Sequence, residues 1–149
     1  DLSGEKLSYI PIEIIKLKNL KSLILKNNKI TKVPKTISKL TNLQSIDLSK
    51  NKFVDFPTEL STLKNLKKII LNRNLITTIP DSIKFFESLE YLDLWSNEMQ
   101  HISKSIGEVK TLEELDLRVI MFSKEEKQRI SSLIPNCKVY FSNSCNCGY

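Results

Sequence analysis

Glycine, histidine and cysteine are all scarce in this chain, and each shortage excludes a class of protein. Only three of the 149 residues are glycine, and none of them forms the glycine-rich loop that cradles a phosphate. The single histidine, His101, is more typical of a surface residue than of a catalytic base. No apolar run is long enough to span a bilayer. We therefore predict no enzyme, no catalytic residues, no cofactor and no membrane span.

The cysteines are too few and too late in the chain to organise the fold. All three, Cys137, Cys145 and Cys147, lie close to the C-terminus, so they can at most staple that end. Cys145-x-Cys147 is a weak zinc signal without a second ligand pair, and we predict no metal site. The remaining composition, 40% hydrophobic and 27% charged, is that of a soluble globular protein. We assign a single domain to residues 1–149.

A period of 23 residues runs through most of the chain. Each unit reads LxxLxLxxNxIxxIPxxIxxLxx, and its asparagine recurs as Asn28, Asn51, Asn74 and Asn97. We assign a partial leading repeat to residues 1–19, four repeats to 20–42, 43–65, 66–88 and 89–111, a C-terminal cap repeat to 112–141, and a tail to 142–149. The alternating LxL predicts a short strand in each unit. Proline lacks an N–H, so it marks where the chain leaves the strand ladder and turns along the back.

The repeat unit resembles the leucine-rich-repeat family. In its 23-residue form, with proline after the second apolar pair, it is similar to Ras-suppressor-type repeats and to short bacterial repeat proteins, including leptospiral ones. The resemblance implies an α/β fold: a right-handed solenoid with a parallel sheet on its concave face and extended or 3₁₀ segments on its convex face. It also implies a buried ladder formed by the four repeated asparagines.

The two ends depart from the repeat. Ser123-x-x-Glu126 is a capping-box signature, and it predicts a helix over Lys124–Leu133 that ends near Pro135. The alternation in residues 136–141 predicts a final strand, one residue out of register, with Cys137 pointing inward. The first unit is truncated, so either a cap has been lost or something covers that edge. We expect a monomer or a weak dimer formed through the exposed edge.

The charges predicted for the concave face are polarised. The first three units carry mostly bases and the last two mostly acids. Like charges on adjacent strands cost stability, so the pattern suggests a partner of complementary charge; the alternative is an unevenly charged, solvated face. The bases are Lys21, Lys26, Lys50, Lys67, Lys68 and Arg73, and the acids are Glu90, Asp93, Glu113, Glu114 and Asp116.

Tyr91 and Trp95 are predicted to lie four residues apart on the same strand and to point the same way. Exposed aromatic residues are common anchors in protein interfaces, although Trp95 can also pack along the neighbouring strands without binding anything. Calcium binding by the strand carboxylates is disfavoured, because carboxylates fixed on a flat face rarely wrap an ion. The candidate binding residues are Tyr91, Trp95, Ile70, Lys68, Arg73, Asp93, Glu114, Asp116 and Arg118.

Three functions are compatible with this surface. The first is a protein-binding module whose partner, by resemblance to short bacterial repeat proteins, is a host protein. The second is binding of an acidic glycan by the basic half of the face, and the third is an intracellular signalling adaptor. Nucleic-acid binding is disfavoured because an acidic patch shares the face. We expect a secreted or surface-exposed bacterial protein, with a cytoplasmic location as the alternative.

Overall fold

The computed structural model describes residues 1–142. In chain order its strands are β1 (Ser22–Ile24), β2 (Ser45–Asp47), β3 (Lys68–Ile70), β4 (Thr78–Ile79), β5 (Tyr91–Asp93), β6 (His101–Ile102), β7 (Glu114–Leu117) and β8 (Lys138–Phe141). Six of these strands form one parallel sheet in the order β1-β2-β3-β5-β7-β8, and the other two, β4 and β6, pair separately. The protein is therefore the predicted α/β solenoid, which adds one strand to the main sheet in each turn.

The sheet keeps the register of the repeat. Leu23 pairs with Ile46 across the first two strands, a step of one full repeat, and the same step holds as far as β7. The last step is longer by one residue, because Leu115 pairs with Val139. This confirms the predicted shift of the final strand.

The convex side is built from short 3₁₀ helices, as predicted. Proline precedes four of the five helices and supplies no N–H that would need a partner there. Apolar residues three apart, such as Ile37 and Leu40, fall on one face of a 3₁₀ helix and are buried. The helices are η1 (Ile12–Lys16), η2 (Lys35–Lys39), η3 (Thr58–Thr62), η4 (Asp81–Phe85) and η5 (Lys104–Glu108).

The asparagines form the ladder that the resemblance implied. In Asn51 the side-chain oxygen accepts the N–H of Ile30 at 2.9 Å, and the amide donates to the carbonyls of Leu25 at 2.9 Å and Leu48 at 3.0 Å. Asn28, Asn74 and Asn97 repeat this pattern. Each asparagine thus satisfies buried backbone groups of two adjacent coils, which would otherwise lack partners.

A left-handed residue follows each of the strands β1, β2, β3, β5 and β7 and turns the chain toward the core. Backbone φ is positive at one equivalent position of every repeat. The first of these positions is Gly4, with a φ of 75° that glycine adopts without steric cost. The others are Asn27, Lys50, Arg73, Ser96 and Val119.

The C-terminal end is closed by the predicted helix, α1 (Lys124–Leu133). The Ser123 hydroxyl accepts the N–H of Glu126 at 3.2 Å, which confirms the N-terminal cap. Gly107 lets α1 approach η5, because a Cβ there would lie 2.8 Å from the Leu133 carbonyl oxygen. Cys137 is half-buried and packs against the core as predicted, and burial raises the pKa of its thiol to about 11. The tail cysteines lie outside the described residues.

The N-terminal edge is partly covered. Leu2 and Gly4 donate backbone hydrogen bonds to the carbonyls of Ile24 and Lys26, at 2.8 and 3.0 Å, so the start of the chain runs beside the end of β1. The core is nevertheless more open here than inside the stack: Leu17 is 55% exposed, whereas the equivalent Leu40 is fully buried. No helix within residues 1–142 is long and apolar enough to cross a membrane.

Candidate functional site

Tyr91 and Trp95 lie near the centre of the concave face, which is the face of the six-stranded sheet opposite the core. Tyr91 begins β5, the fourth strand across the sheet, and Trp95 follows that strand by two residues. Leu92 and Leu94 alternate with them and are fully buried, so the aromatic rings point away from the core. Both aromatic residues are half-buried. The structure thus brings together the two residues that the sequence singled out.

A cation from the preceding coil lies over each of these rings. Lys68 Nζ is 4.7 Å from the centre of the Tyr91 ring, and the Arg73 guanidinium is 4.6 Å from that of Trp95. Both distances are within the range of cation–π attraction. These contacts hold the rings in place and cover one face of each.

Three concave aspartates share a structural role that their sequence positions conceal. Asp47, Asp93 and Asp116 each accept, through Oδ1, the backbone N–H two residues later, at 2.9–3.0 Å. This is an Asx-turn, in which the side chain stabilises the bend where a strand ends. The carboxylates therefore serve the turns of the solenoid.

Asp93 and Asp116, two of the candidate binding residues, are largely covered by neighbouring groups. They retain only 8% and 4% exposure. Asp93 also accepts a hydrogen bond from the Asn72 amide at 2.6 Å, and Asp116 is held by the Arg118 guanidinium at 2.6 Å. Alternation predicted correctly that they lie beside each other on the side away from the core, but neighbouring side chains cover them.

Burial also changes the pKa of two groups on this part of the face, Asp93 and Tyr91. It raises the pKa of Asp93, chiefly because the carboxylate is desolvated; the hydrogen bonds from Asn72 and Trp95 oppose that effect. It raises the pKa of Tyr91 as well, with a further contribution from the nearby charges of Asp93 and Asp116. Both groups are therefore harder to ionise than usual.

Two of the concave glutamates also have partners. Glu90 forms a salt bridge with Lys67 at 2.7 Å, and Glu114 accepts a hydrogen bond from the Tyr140 hydroxyl at 3.2 Å. Glu113 is exposed and, within residues 1–142, makes no salt bridge. The apparently acidic half of the face thus has most of its carboxylates engaged.

The bases of the other half are exposed, and two of them, Lys68 and Arg73, lie over the aromatic rings. Of the six basic residues predicted there, only Lys67 forms a salt bridge in the part of the chain that the structure describes. Lys26, Lys50 and Arg73 line a shallow hollow of about 440 Å³ together with Ile70 and Trp95. An adjoining hollow of about 310 Å³ lies on the Tyr91 side of Trp95. Trp95 lines both hollows, and the first of them also contains two acids, Asp47 and Asp93.

Sequence reasoning missed two residues of this surface. Tyr140 on β8 lies under Lys138, at 4.8 Å, and under Arg118, at 5.7 Å. The predicted inward direction of Cys137 already placed Tyr140 outward, so the signal was present. The second residue is Asn72, whose bond to Asp93 depends on side-chain conformations that a repeat pattern does not specify. In residues 1–142 no cluster of three or more histidine, cysteine, aspartate or glutamate side chains is arranged to hold a metal.

Comparison with known proteins agrees with this architecture. A family profile described as a leucine-rich repeat region matches residues 4–138. The chain belongs to the leucine-rich-repeat family. Proteins of this family are generally protein-interaction modules, and the fold is typically a non-enzymatic scaffold. A search of curated proteins gives no match.

Two solved structures extend the comparison. A leucine-rich-repeat protein of Leptospira interrogans superposes with a TM-score of 0.84 and is 36% identical over 91% of this chain. An internalin of Listeria monocytogenes superposes with a TM-score of 0.68 at 20% identity, again over 91% of this chain, and shows similarity of fold alone. This leucine-rich-repeat chain spans 35% of the Leptospira protein and 45% of the internalin.

Proposed function

We propose that this protein binds another protein on its concave face and that Tyr91 and Trp95 anchor the contact. The observation that carries the proposal is the position of the two rings. They are half-buried, four residues apart along one coil near the centre of the sheet, and each lies under a cation, Lys68 or Arg73. Fixed aromatic side chains lose little conformational entropy when they are covered, which makes them effective anchors.

The partner we propose is a host protein, and the location is the surface or exterior of a bacterium. Similarity to the Leptospira protein supports the bacterial origin. Protease treatment of intact cells that produce the protein tests the location. Digestion before lysis is the expected result, and protection until lysis would favour the cytoplasmic alternative.

The binding proposal is tested with a matched pair of variants. Tyr91→Ala/Trp95→Ala removes the two concave rings, whereas Tyr9→Ala/Phe85→Ala removes two exposed rings from elsewhere, whose residues are 72% and 56% exposed. Each protein is immobilised, exposed to host-cell extracts, and the retained proteins are quantified by mass spectrometry. Circular dichroism confirms that all variants fold.

The expected result is a set of proteins that wild type and the Tyr9/Phe85 variant retain equally and that the Tyr91/Trp95 variant loses. Truncating one anchor residue typically weakens binding by about 2 kcal/mol or more, so the loss should be close to complete. Equal retention by all three proteins would contradict the proposed anchor.

A further inference from the structure

We propose that the segment bound on the concave face is an acidic stretch of protein in which carboxylates flank an apolar side chain. The inference rests on the proposed function and specifies the chemistry of the partner. In the bound state, the carboxylates contact Lys26, Lys50 and Arg73, and the apolar side chain covers Trp95.

The concave face exposes more bases than acids although its sequence is mixed. Its six predicted bases are exposed, whereas of its five predicted acids only Glu113 is. Asp93 and Asp116 are buried and hydrogen-bonded to the chain itself, and Glu90 and Glu114 are paired with Lys67 and Tyr140. The bases are therefore more accessible to a partner than the acids are.

Three bases that make no salt bridge within residues 1–142 are grouped beside the anchor, and one of them, Arg73, lies over its ring. Lys26, Lys50 and Arg73 come from successive coils and line one hollow with Trp95, and adjacent strands of a sheet are about 4.8 Å apart. The hollow also contains two acids, but both are engaged: Asp47 is partly buried and accepts the Ser49 N–H, and Asp93 is 8% exposed and accepts hydrogen bonds from the Trp95 N–H and the Asn72 amide. Three cations beside two covered acids favour carboxylates in the partner.

The lining of the hollow favours a protein segment over an acidic glycan. Trp95 contributes apolar surface beside the bases. Ile70, between the basic residues, adds apolar surface to the same hollow. Carboxylates mixed with an apolar side chain fit this surface better than a uniformly polar polyanion does.

The test uses random-sequence peptides displayed on phage and selected on three proteins. These are the wild type, Lys26→Glu/Lys50→Glu in the hollow, and the control Lys35→Glu/Lys39→Glu on the convex helix η2. The four lysines are exposed, and each pair of substitutions changes the net charge equally. Lys50 has a positive φ, but glutamate, like lysine, is unbranched at Cβ and keeps the backbone demand unchanged.

Selected peptides are synthesised with a fluorescent label and titrated by fluorescence anisotropy, which also measures binding to the variant that lacks Trp95. Wild type and the control should select peptides rich in aspartate and glutamate next to an apolar residue. The Lys26/Lys50 variant should bind them about tenfold more weakly. The wild-type affinity should also fall as salt is raised from about 0.05 to about 0.5 M.

The outcomes separate the two proposals. Peptides that need Tyr91 and Trp95 but show no enrichment in acids, or that bind the Lys26/Lys50 variant equally well, would overturn the acidic-partner inference and leave the anchor intact. Peptides whose binding is unchanged by Tyr91→Ala/Trp95→Ala would overturn the anchor itself. A heparin oligosaccharide that binds the hollow more tightly than the selected peptides would overturn the inference in favour of a glycan.

Discussion

The two halves of the concave face use charged side chains in opposite ways. On β5 and β7 the carboxylates of Asp93 and Asp116 are buried and complete the turns that follow the strands. On β1 to β3 the ammonium and guanidinium groups extend into solvent or lie over aromatic rings. Aspartate is short enough to bond to its own backbone, whereas lysine and arginine are long and remain hydrated. Equal numbers of charges in a sequence therefore do not imply equal charges on a surface.

The largest effect should come from the ladder beneath both halves. Asn51→Ala and Asn97→Ala each remove an acceptor for one buried N–H and a donor to two buried carbonyls. Each substitution should lower the free energy of unfolding by about 3 kcal/mol or more. The reason is that the backbone N–H and carbonyl groups that lose their partner remain buried, away from water. Urea unfolding measures both losses. A much smaller loss for Asn51→Ala or for Asn97→Ala would mean that the asparagine ladder itself differs between the two halves.

A smaller effect should distinguish the aspartates of the two halves. Asp116→Ala removes the acceptor for the Arg118 N–H and the contacts with its guanidinium, from a site that is 4% exposed. We expect a loss of about 2 kcal/mol. Asp47→Ala, in the basic half, removes only the described bond to Ser49 from a partly buried site and should cost about 1 kcal/mol. Equal losses in thermal or urea unfolding would contradict the difference in burial.

The pH dependence of stability tests whether Asp93 is desolvated in the acidic half of the face. The pKa of Asp93 is raised above its ordinary value of 3.8, so its contribution to stability is present below that value and is lost as pH rises through the raised pKa. Asp93→Asn should therefore gain in melting temperature, relative to wild type, between pH 3 and pH 7. Glu126→Gln is the control with the opposite sign, because Arg129 lowers the pKa of Glu126 from 4.5. The same trend in both variants would contradict the assigned shifts.

The smallest effect should come from the salt bridge that joins the two halves. Lys67 and Glu90 have side chains that are 53% and 39% exposed, and exposed ion pairs contribute less than about 1 kcal/mol. A double-mutant cycle with Lys67→Ala and Glu90→Ala measures the coupling. A coupling as large as the loss expected for Asp116→Ala would show that this pair, rather than the buried aspartates, organises the face.

The repeat pattern predicts the scaffold well because its period is a geometric constraint. A leucine at the same place in every repeat implies the strand register from β1 to β7, and Asn28, Asn51, Asn74 and Asn97 predict the ladder. Pro34, Pro57 and Pro80 likewise predict where the 3₁₀ helices begin. In each case a backbone requirement selects one residue type.

The surface is predicted less well because it depends on side-chain conformation. Alternation correctly put Asp93 and Asp116 on the side away from the core, but their burial comes from Asn72, Arg118 and the turn after each strand. An aspartate three residues before a left-handed residue signals an Asx-turn only once that turn is known. The pairing of β4 with β6 was also absent from the sequence pattern, since it depends on the packing of the coils.

The sign of the electrostatic potential around Trp95 can be measured without any partner. It shows whether the bases or the carboxylates dominate the concave face. Iodide and caesium quench tryptophan fluorescence by collision, and their efficiencies are compared after each is normalised to neutral acrylamide. Because Lys26, Lys50 and Arg73 share a hollow with this ring, iodide should quench more strongly than caesium, and Lys26→Glu/Lys50→Glu should reduce or reverse the difference. Stronger quenching by caesium in the wild type would show that the carboxylates dominate the face and would contradict the account.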